Sequence, residues 1–191
     1  MNTLIKICGI QCPKQAFVIA RLGADFIGIM QSHHSKRYVP IHIAKEIAEA
    51  SREGGAKVVL VVTDISSGSL DHIVSETRPD FVQCYQRDFL LSESIGKILV
   101  NHNMDKIRKG KDFFMMDHPI GGQGIPLNWE ELSAPKGVVW FLAGGLAHHN
   151  VQEALRILNP SGVDVSTGVE TDGKKDIDKI KIFIEKVRSY A

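Results

Sequence analysis

Long apolar runs are missing from this sequence. No segment has the roughly 18 consecutive apolar residues of a membrane-spanning helix. No basic lead-in followed by an apolar stretch, the pattern of a secretory signal peptide, is found either. We therefore predict a cytoplasmic protein with no membrane partner. Low-complexity segments and interdomain linkers are also missing, so the 191 residues are expected to form a single domain, residues 1–191.

An excess of charge of either sign is absent as well. The chain has 23 Lys and Arg against 22 Asp and Glu, for a formal net charge of +1. Such a balance does not indicate a nucleic-acid partner, whose binding depends on clustered positive charge. Any anionic ligand must therefore be held by a few local groups.

Cysteine is scarce, with only Cys8, Cys12 and Cys84 in the chain. An odd number argues against a disulfide framework. Cys8 and Cys12 have the spacing of half a metal site, but the nearest histidines, His33 and His34, are adjacent and poorly spaced to bind one ion. We predict no metal site, and we interpret Cys84 as a small buried apolar residue.

What the chain does contain is a regular alternation of short apolar strands and amphipathic helices. This alternation indicates a parallel sheet, and eight strands in one domain favour closure into a compact (β/α)8 (TIM) barrel. The helices between strands four and six are expected to be shortened. The predicted strands are 4–8, 25–30, 58–62, 80–84, 97–100, 113–116, 138–142 and 162–165. The predicted helices are 13–22, 40–51, 67–77, 89–95, 104–108, 129–132, 150–158 and 175–190.

Three predicted strands lead directly into loops of small residues. Apolar residues 113–116 precede Asp117 and the glycines of 121–124, and the pattern recurs at 141–145 and 163–168. A carboxylate at a strand end followed by exposed backbone N–H groups is a common way to bind an anionic ligand. In a barrel all these ends meet on one face, where Tyr85 and Asn101 are also expected.

Several segments stand in the order of a known family: 6–10, 35–39, 82–83, 116–117 and 121–124 with Trp129, 143–146 with 150–151, and 162–170. Taken together, they resemble the phosphoribosylanthranilate isomerase family. The resemblance implies a cofactor-independent isomerase of tryptophan biosynthesis. The reaction is an Amadori rearrangement, in which an acid opens a furanose ring and a base then removes the C2 proton.

The resemblance implies that Cys8 is the general base and Asp117 the general acid. A thiol is mostly protonated at neutral pH and needs activation. We expect Lys6 to point to the other face of its strand, so that helix dipoles or Arg37 would lower the pKa of Cys8. An acid working near neutrality needs a raised pKa, which the apolar residues before Asp117 could supply.

The family motifs also imply the residues that hold a small sugar-phosphate substrate. The guanidinium of Arg37 is expected to bind the anthranilate carboxylate. Asp164 is expected to orient neighbouring residues of the site. The oligomeric state is not predicted and could be a monomer or a homodimer. The remaining binding residues are glycines and hydroxyl residues of three loops, expected to bind phosphate or cover the ligand: Gly122, Gly124, Gly144, Gly145, Ser166, Thr167 and Gly168.

Several positions depart from the family pattern. Cys84 and Tyr85 stand where Leu and His are usual, and His33 and His34 lie in a run that is normally rich in aromatic residues. These changes affect the expected walls of the aromatic pocket, and the roles of Tyr85 and of both histidines stay open. Two alternatives therefore remain: a non-catalytic barrel that binds a phosphorylated ligand, and an isomerase of a related sugar phosphate.

Overall fold

The computed structural model describes residues 2–63, 67–85, 91–101, 104–118 and 128–190. Eight parallel strands form a closed barrel in sequence order, and β1 pairs with β8 to complete it. The predicted barrel is confirmed. Its strands are β1 Leu4–Cys8, β2 Phe26–Met30, β3 Lys57–Val62, β4 Phe81–Cys84, β5 Gly96–Val100, β6 Phe113–Met116, β7 Trp140–Leu142 and β8 Gly162–Val165.

Five α-helices, two 3-10 helices and one hairpin are the remaining elements within the described ranges. The 3-10 helices are Met104–Lys106 and Trp129–Glu131, and the hairpin is formed by β9 Glu170–Thr171 and β10 Lys174–Lys175. The α-helices are α1 Pro13–Arg21, α2 Ile41–Gly54, α3 Ser67–Thr77, α4 Val151–Leu158 and α5 Ile177–Arg188.

The first residue of a helix could be predicted from the sequence for α1 but not for α5. Pro13 opens α1 at the first helical position, as predicted, because its missing N–H would have no partner there. The last helix was expected to include Lys175, and this is wrong. Asp176 caps α5 by accepting hydrogen bonds from the backbone N–H groups of Asp178 and Lys179, which leaves Lys175 in the hairpin.

Connections between β4 and β6 are short, as predicted. A single 3-10 turn, Met104–Lys106, stands between β5 and β6. The helix expected at 89–95 falls partly on residues 86–90, which lie outside the described ranges. The rest of it, 91–95, forms a turn instead of a helix, so that part of the prediction is wrong.

Alternating residues of each strand fill two separate layers. Outward residues such as Ile5 and Val163 pack against the helices, and inward residues fill the barrel. Four inward phenylalanines contact one another with ring centroids 4.8–6.0 Å apart; they are Phe26, Phe81, Phe113 and Phe141. Gly96 and Gly162 have no side chain, and the rings of Phe81 and Phe141 occupy the space that a Cβ would need at these positions. This aromatic floor lies below the carboxyl end of the barrel, the end we refer to as the mouth.

Candidate active site

Lys6 and Asp164 form an ion pair inside the barrel. The Nζ of Lys6 donates to Oδ1 of Asp164 at 2.8 Å, and the lysine is fully buried. The pair joins β1 to β8 at the seam of the barrel. Burial is the largest single effect and lowers the pKa of Lys6, but the negative charges of Asp164 and Cys8 together raise it by more, so the pKa is raised overall. The ammonium is therefore charged at neutral pH.

The prediction that Lys6 faces away from Cys8 is wrong. The two residues are separated by two positions on β1, so both point into the barrel. Burial raises the pKa of the Cys8 thiol, whereas the Lys6 charge lowers it. Lys6, not Arg37, is thus the main nearby cation that favours the thiolate.

Gly28 on β2 provides the room for the Cys8 side chain. A Cβ added to Gly28 would lie 2.9 Å from the Cys8 sulfur. Gly28 pairs directly with Cys8 in the sheet, and its carbonyl accepts the N–H of Gly9. Sequence reasoning missed this residue, because a glycine within a strand signals a close approach without naming the partner.

Asp117 follows β6 directly and is held by its backbone and by its side chain. Asn101, at the end of β5, adopts a left-handed conformation with φ 52° and exchanges two hydrogen bonds with the main chain of Asp117. The N–H of His118 donates to Oδ1 of Asp117 at 2.8 Å. Burial raises the pKa of Asp117, and the Asp164 charge raises it further. The sequence indicated this direction from the apolar strand before Asp117.

Tyr85 contacts the Asp117 carboxyl. Its hydroxyl donates to Oδ2 of Asp117 at 3.3 Å and accepts from Nε2 of Gln83 at 3.0 Å. The Tyr85 ring packs against the buried interior cluster that includes Cys8. Tyr85 therefore bonds to the Asp117 carboxyl and packs against the cluster that contains the Cys8 thiol. The sequence left the role of Tyr85 open, since no local pattern links it to a residue 32 positions away.

Arg37 lies over β1 and is bound through two of its nitrogens. Its Nε and one Nη donate to the two oxygens of Glu170 at 2.7 and 3.0 Å. The Arg37 side chain also occupies the space above Gly9, where a Cβ would clash with it. Burial opposes ionisation of Glu170, but bonds from Arg37 and Lys175 hold the Glu170 pKa below its usual range. Among the described residues Glu170 alone accepts from the Arg37 guanidinium, whose other N–H groups could bind a ligand.

Lys175 of the hairpin connects this pair to the end of β8. Its Nζ donates to Glu170 at 2.6 Å and to the carbonyl of Ser166 at 2.9 Å. The Ser166 hydroxyl in turn donates to the carbonyl of Cys8 at 3.1 Å. Sequence reasoning missed both Glu170 and Lys175 as site residues. Their signal was a charged pair five positions apart, which by itself predicts only a solvated turn.

The loops after β7 and β8 meet at Gly168. A Cβ on Gly168 would overlap the carbonyl of Leu146, and Gly168 forms a backbone bridge with Ala147. Gly144 and Gly145 have φ values of 85° and 66°, which few other residues adopt. Thr167 accepts the N–H of Glu170 through its carbonyl. The structure thus brings together the predicted residues of these two loops, while Gly122 and Gly124 lie outside the described ranges.

The loop after β2 has few apolar aromatic groups. His33 and His34 are exposed, and the His33 ring contacts the Tyr38 ring with centroids 4.3 Å apart and planes tilted by 39°. Cys84, interpreted from the sequence as a small buried residue, is fully buried on the outward face of β4.

In the described ranges no group of three side chains is placed to bind a metal ion. No helix in those same ranges is both long and apolar enough to cross a membrane.

Fold and site together define a (β/α)8-barrel enzyme with a buried thiol and a carboxyl group of raised pKa at its mouth. The model of the N-(5'-phosphoribosyl)anthranilate isomerase family matches residues 5–186. The chain therefore belongs to that family.

Relatives with this family name cover nearly all of the chain. The isomerase of Chlamydia caviae is 36% identical and covers 94% of each chain. Isomerase 1 of Arabidopsis thaliana, a chloroplastic protein, is 35% identical over 97% of this chain and 75% of its own.

Solved structures of the family have the same fold. TrpF from Jonesia denitrificans superposes with a TM-score of 0.81 at 25% identity, over 98% of both chains. A phosphoribosyl anthranilate isomerase in complex with reduced 1-(o-carboxyphenylamino)-1-deoxyribulose 5-phosphate gives a TM-score of 0.77 at 24% identity, over 98% of this chain and 99% of that one.

Proposed function

We propose that this protein converts N-(5-phosphoribosyl)anthranilate to 1-(2-carboxyphenylamino)-1-deoxyribulose 5-phosphate, a step of tryptophan biosynthesis that needs no cofactor. The observation that carries the proposal is the side-chain contact from Asp117 through Tyr85 to the cluster containing Cys8, in a chain of this family. This contact supports an acid and a base acting on one bound sugar. A monomer or a homodimer is proposed; one solved structure is of monomers generated from the dimeric isomerase of Thermotoga maritima.

In the proposed mechanism Asp117 begins as a neutral carboxyl. It gives its proton to the furanose ring oxygen, the bond from C1 to that oxygen breaks, and an iminium forms between C1 and the anthranilate nitrogen. The Cys8 thiolate then removes the C2 proton. The resulting enol-amine tautomerises to the ketone, so that atoms are conserved and no net proton is consumed.

The required protonation state, thiolate with neutral carboxyl, is the minor one in the free protein. Burial raises the pKa values of both groups, but a thiol starts far above a carboxyl, so Cys8 keeps the higher value. A bell-shaped dependence of kcat/KM on pH is expected, with Asp117 setting its lower limb and Cys8 its upper limb. The Lys6 charge lowers the Cys8 pKa and brings it closer to the Asp117 pKa. The form with a thiolate and a neutral carboxyl is therefore more populated.

Substrate binding is proposed at two places around the mouth. Arg37 takes the anthranilate carboxylate with the N–H groups that Glu170 leaves unused. The phosphate binds to backbone N–H groups of Gly144, Gly145, Ser166, Thr167 and Gly168, in the two loops that the Gly168 contact keeps together. Asp164 supports the site through Lys6, and Gly122 and Gly124 are proposed to cover the ligand.

Loss of substrate fluorescence tests the proposed activity directly. Purified protein mixed with freshly made N-(5-phosphoribosyl)anthranilate is expected to turn it over, because base, acid and anion-binding loops are all present. Tight binding without turnover would favour the non-catalytic barrel. Turnover of another aminoaldose phosphate, with this substrate untouched, would favour the related isomerase that the altered aromatic pocket suggests.

Replacing Arg37 with alanine is expected to raise KM by about 10- to 100-fold, the cost of losing charge-assisted hydrogen bonds to a carboxylate. The value of kcat should fall less, since the arginine binds the carboxylate throughout the reaction. Steady-state kinetics measures both constants. The matched control is Lys36→Ala, which removes an exposed positive charge from the same loop. An unchanged KM in the Arg37 variant would refute the carboxylate-binding role.

A further inference from the structure

The hydroxyl of Tyr85 bridges a buried amide and the proposed general acid. Residues 81, 83 and 85 face the barrel interior, so β4 directs Gln83 and Tyr85 toward the same space. The Tyr85 oxygen lies 3.0 Å from Nε2 of Gln83 and 3.3 Å from Oδ2 of Asp117. These contacts form a continuous chain of polar groups from the middle of β4 to the end of β6.

Gln83 is fully buried, and within the described ranges its Oε1 atom has no hydrogen-bond partner. A buried acceptor without a partner is costly unless another arrangement uses it. Rotation of the Gln83 amide by half a turn places Oε1 where Nε2 now faces Tyr85. The amide can therefore donate to the tyrosine hydroxyl in one orientation and accept from it in the other.

We propose that Tyr85, backed by Gln83, is a positioning residue that keeps hydrogen bonding to Asp117 in both of its protonation states. The inference rests on the proposed role of Asp117 as general acid. When Asp117 is a carboxylate, Gln83 donates to Tyr85 and Tyr85 donates to Asp117. When Asp117 is a neutral carboxyl, it donates to Tyr85, and Tyr85 donates to Oε1 of Gln83.

In both protonation states of Asp117, the Tyr85 hydroxyl donates one hydrogen bond and accepts one. The proton that Asp117 transfers to the sugar can therefore leave and return while the Tyr85 hydroxyl keeps both of its hydrogen bonds. The phenol stays protonated, as this role requires, because burial raises the pKa of Tyr85 well above its ordinary range and the charge of Asp117 raises it further.

Charged and titratable groups from four strands act on this chain of bonds. Burial and the Asp164 charge raise the pKa of Asp117, while the His118 N–H, the Tyr85 hydroxyl and the Lys6 charge lower it. Cys8 belongs to the interior cluster against which Tyr85 packs, and a charge on Cys8 or on Asp164 also raises the pKa of Tyr85. Because the hydroxyl donates to the ionised form of Asp117, removing it should raise the Asp117 pKa.

The test is Tyr85→Phe, which deletes one oxygen and keeps the ring. The lower limb of the kcat/KM profile, assigned to Asp117, is expected to shift to higher pH. The value of kcat at the optimum should fall about ten-fold, as is typical when a group that orients a reactive one is lost. Gln83→Met should shift the limb in the same direction by less, and should add nothing in the Tyr85→Phe background.

Tyr190→Phe, at the exposed end of the chain after α5, is the matched control and should leave the profile unchanged. A lower limb that stays in place in Tyr85→Phe overturns the proposal, even if kcat falls. A second readout separates it from the proposed function: the ¹³C chemical shift of the Asp117 carboxyl, titrated without substrate. An inactive wild-type protein would contradict the isomerase function. An Asp117 titration that is the same in wild type and in Tyr85→Phe would contradict the role of the Tyr85 hydroxyl.

Discussion

Asparagine in place of Asp117 is expected to reduce kcat by roughly 10²–10⁴-fold, the usual contribution of a positioned general acid or base. Cys8→Ala should cause a loss of similar size. The asparagine has nearly the same shape, and its side-chain oxygen can still accept the His118 N–H. The backbone bonds to Asn101 are also kept. The fold should therefore survive, so that the loss reports chemistry.

Two controls make these variants informative. Asp172→Asn changes an exposed aspartate whose φ of 51° asparagine tolerates well, so its kcat should equal that of the wild type. Cys12→Ala removes a second thiol close to the end of β1 and should also keep activity. Stopped-flow or steady-state fluorescence measures all four proteins. Near-normal kcat in Asp117→Asn or Cys8→Ala would contradict the proposed acid or base.

Breaking the buried ion pair should have the largest effect on stability. In Lys6→Met the Asp164 carboxylate loses its partner inside the barrel, which typically costs about 3–5 kcal/mol of unfolding free energy. Urea denaturation followed by circular dichroism measures the loss. The double variant Lys6→Met with Asp164→Leu removes both charges and should recover much of the stability, because an apolar pair avoids the desolvation cost.

Lys45→Met is the matched control for that experiment. Lys45 pairs with Glu76 at 3.1 Å, but both side chains are largely exposed, so the urea midpoint should change little. A Lys6→Met protein as stable as the control variant would mean that the ion pair is unimportant to the barrel. Activity adds a second measure: with the ammonium gone, the upper limb of the pH profile should move to higher pH, because Lys6 lowers the Cys8 pKa.

The pattern of strands and helices was predictable because it is determined locally. Apolar runs, capping residues and glycines fix each element within a few neighbours along the chain, and eight such units in one domain favour closure into a barrel. Strand ends then place Cys8 and Asp117 at one mouth. Boundaries were less predictable: Lys175 continues an apparently helical pattern, and only the Asp176 cap and the hairpin remove it from α5.

The partners of the charged residues could not be predicted in the same way. Lys6 bonds to a residue 158 positions away, and Arg37 to one 133 positions away. Such pairs exist only because the barrel brings its first and last strands together. The expectation that Lys6 points away from Cys8 was an error in applying strand alternation, since residues two positions apart on a strand share a face.

The aromatic floor limits how groups inside the barrel exchange protons with bulk solvent. Four phenylalanine rings fill the barrel below Lys6 and Cys8, so these groups reach water only from the mouth. A ligand seated at the mouth would close that route. If Cys8 takes a proton from the ligand, as proposed, we expect that proton to return to the ligand without exchanging with bulk water.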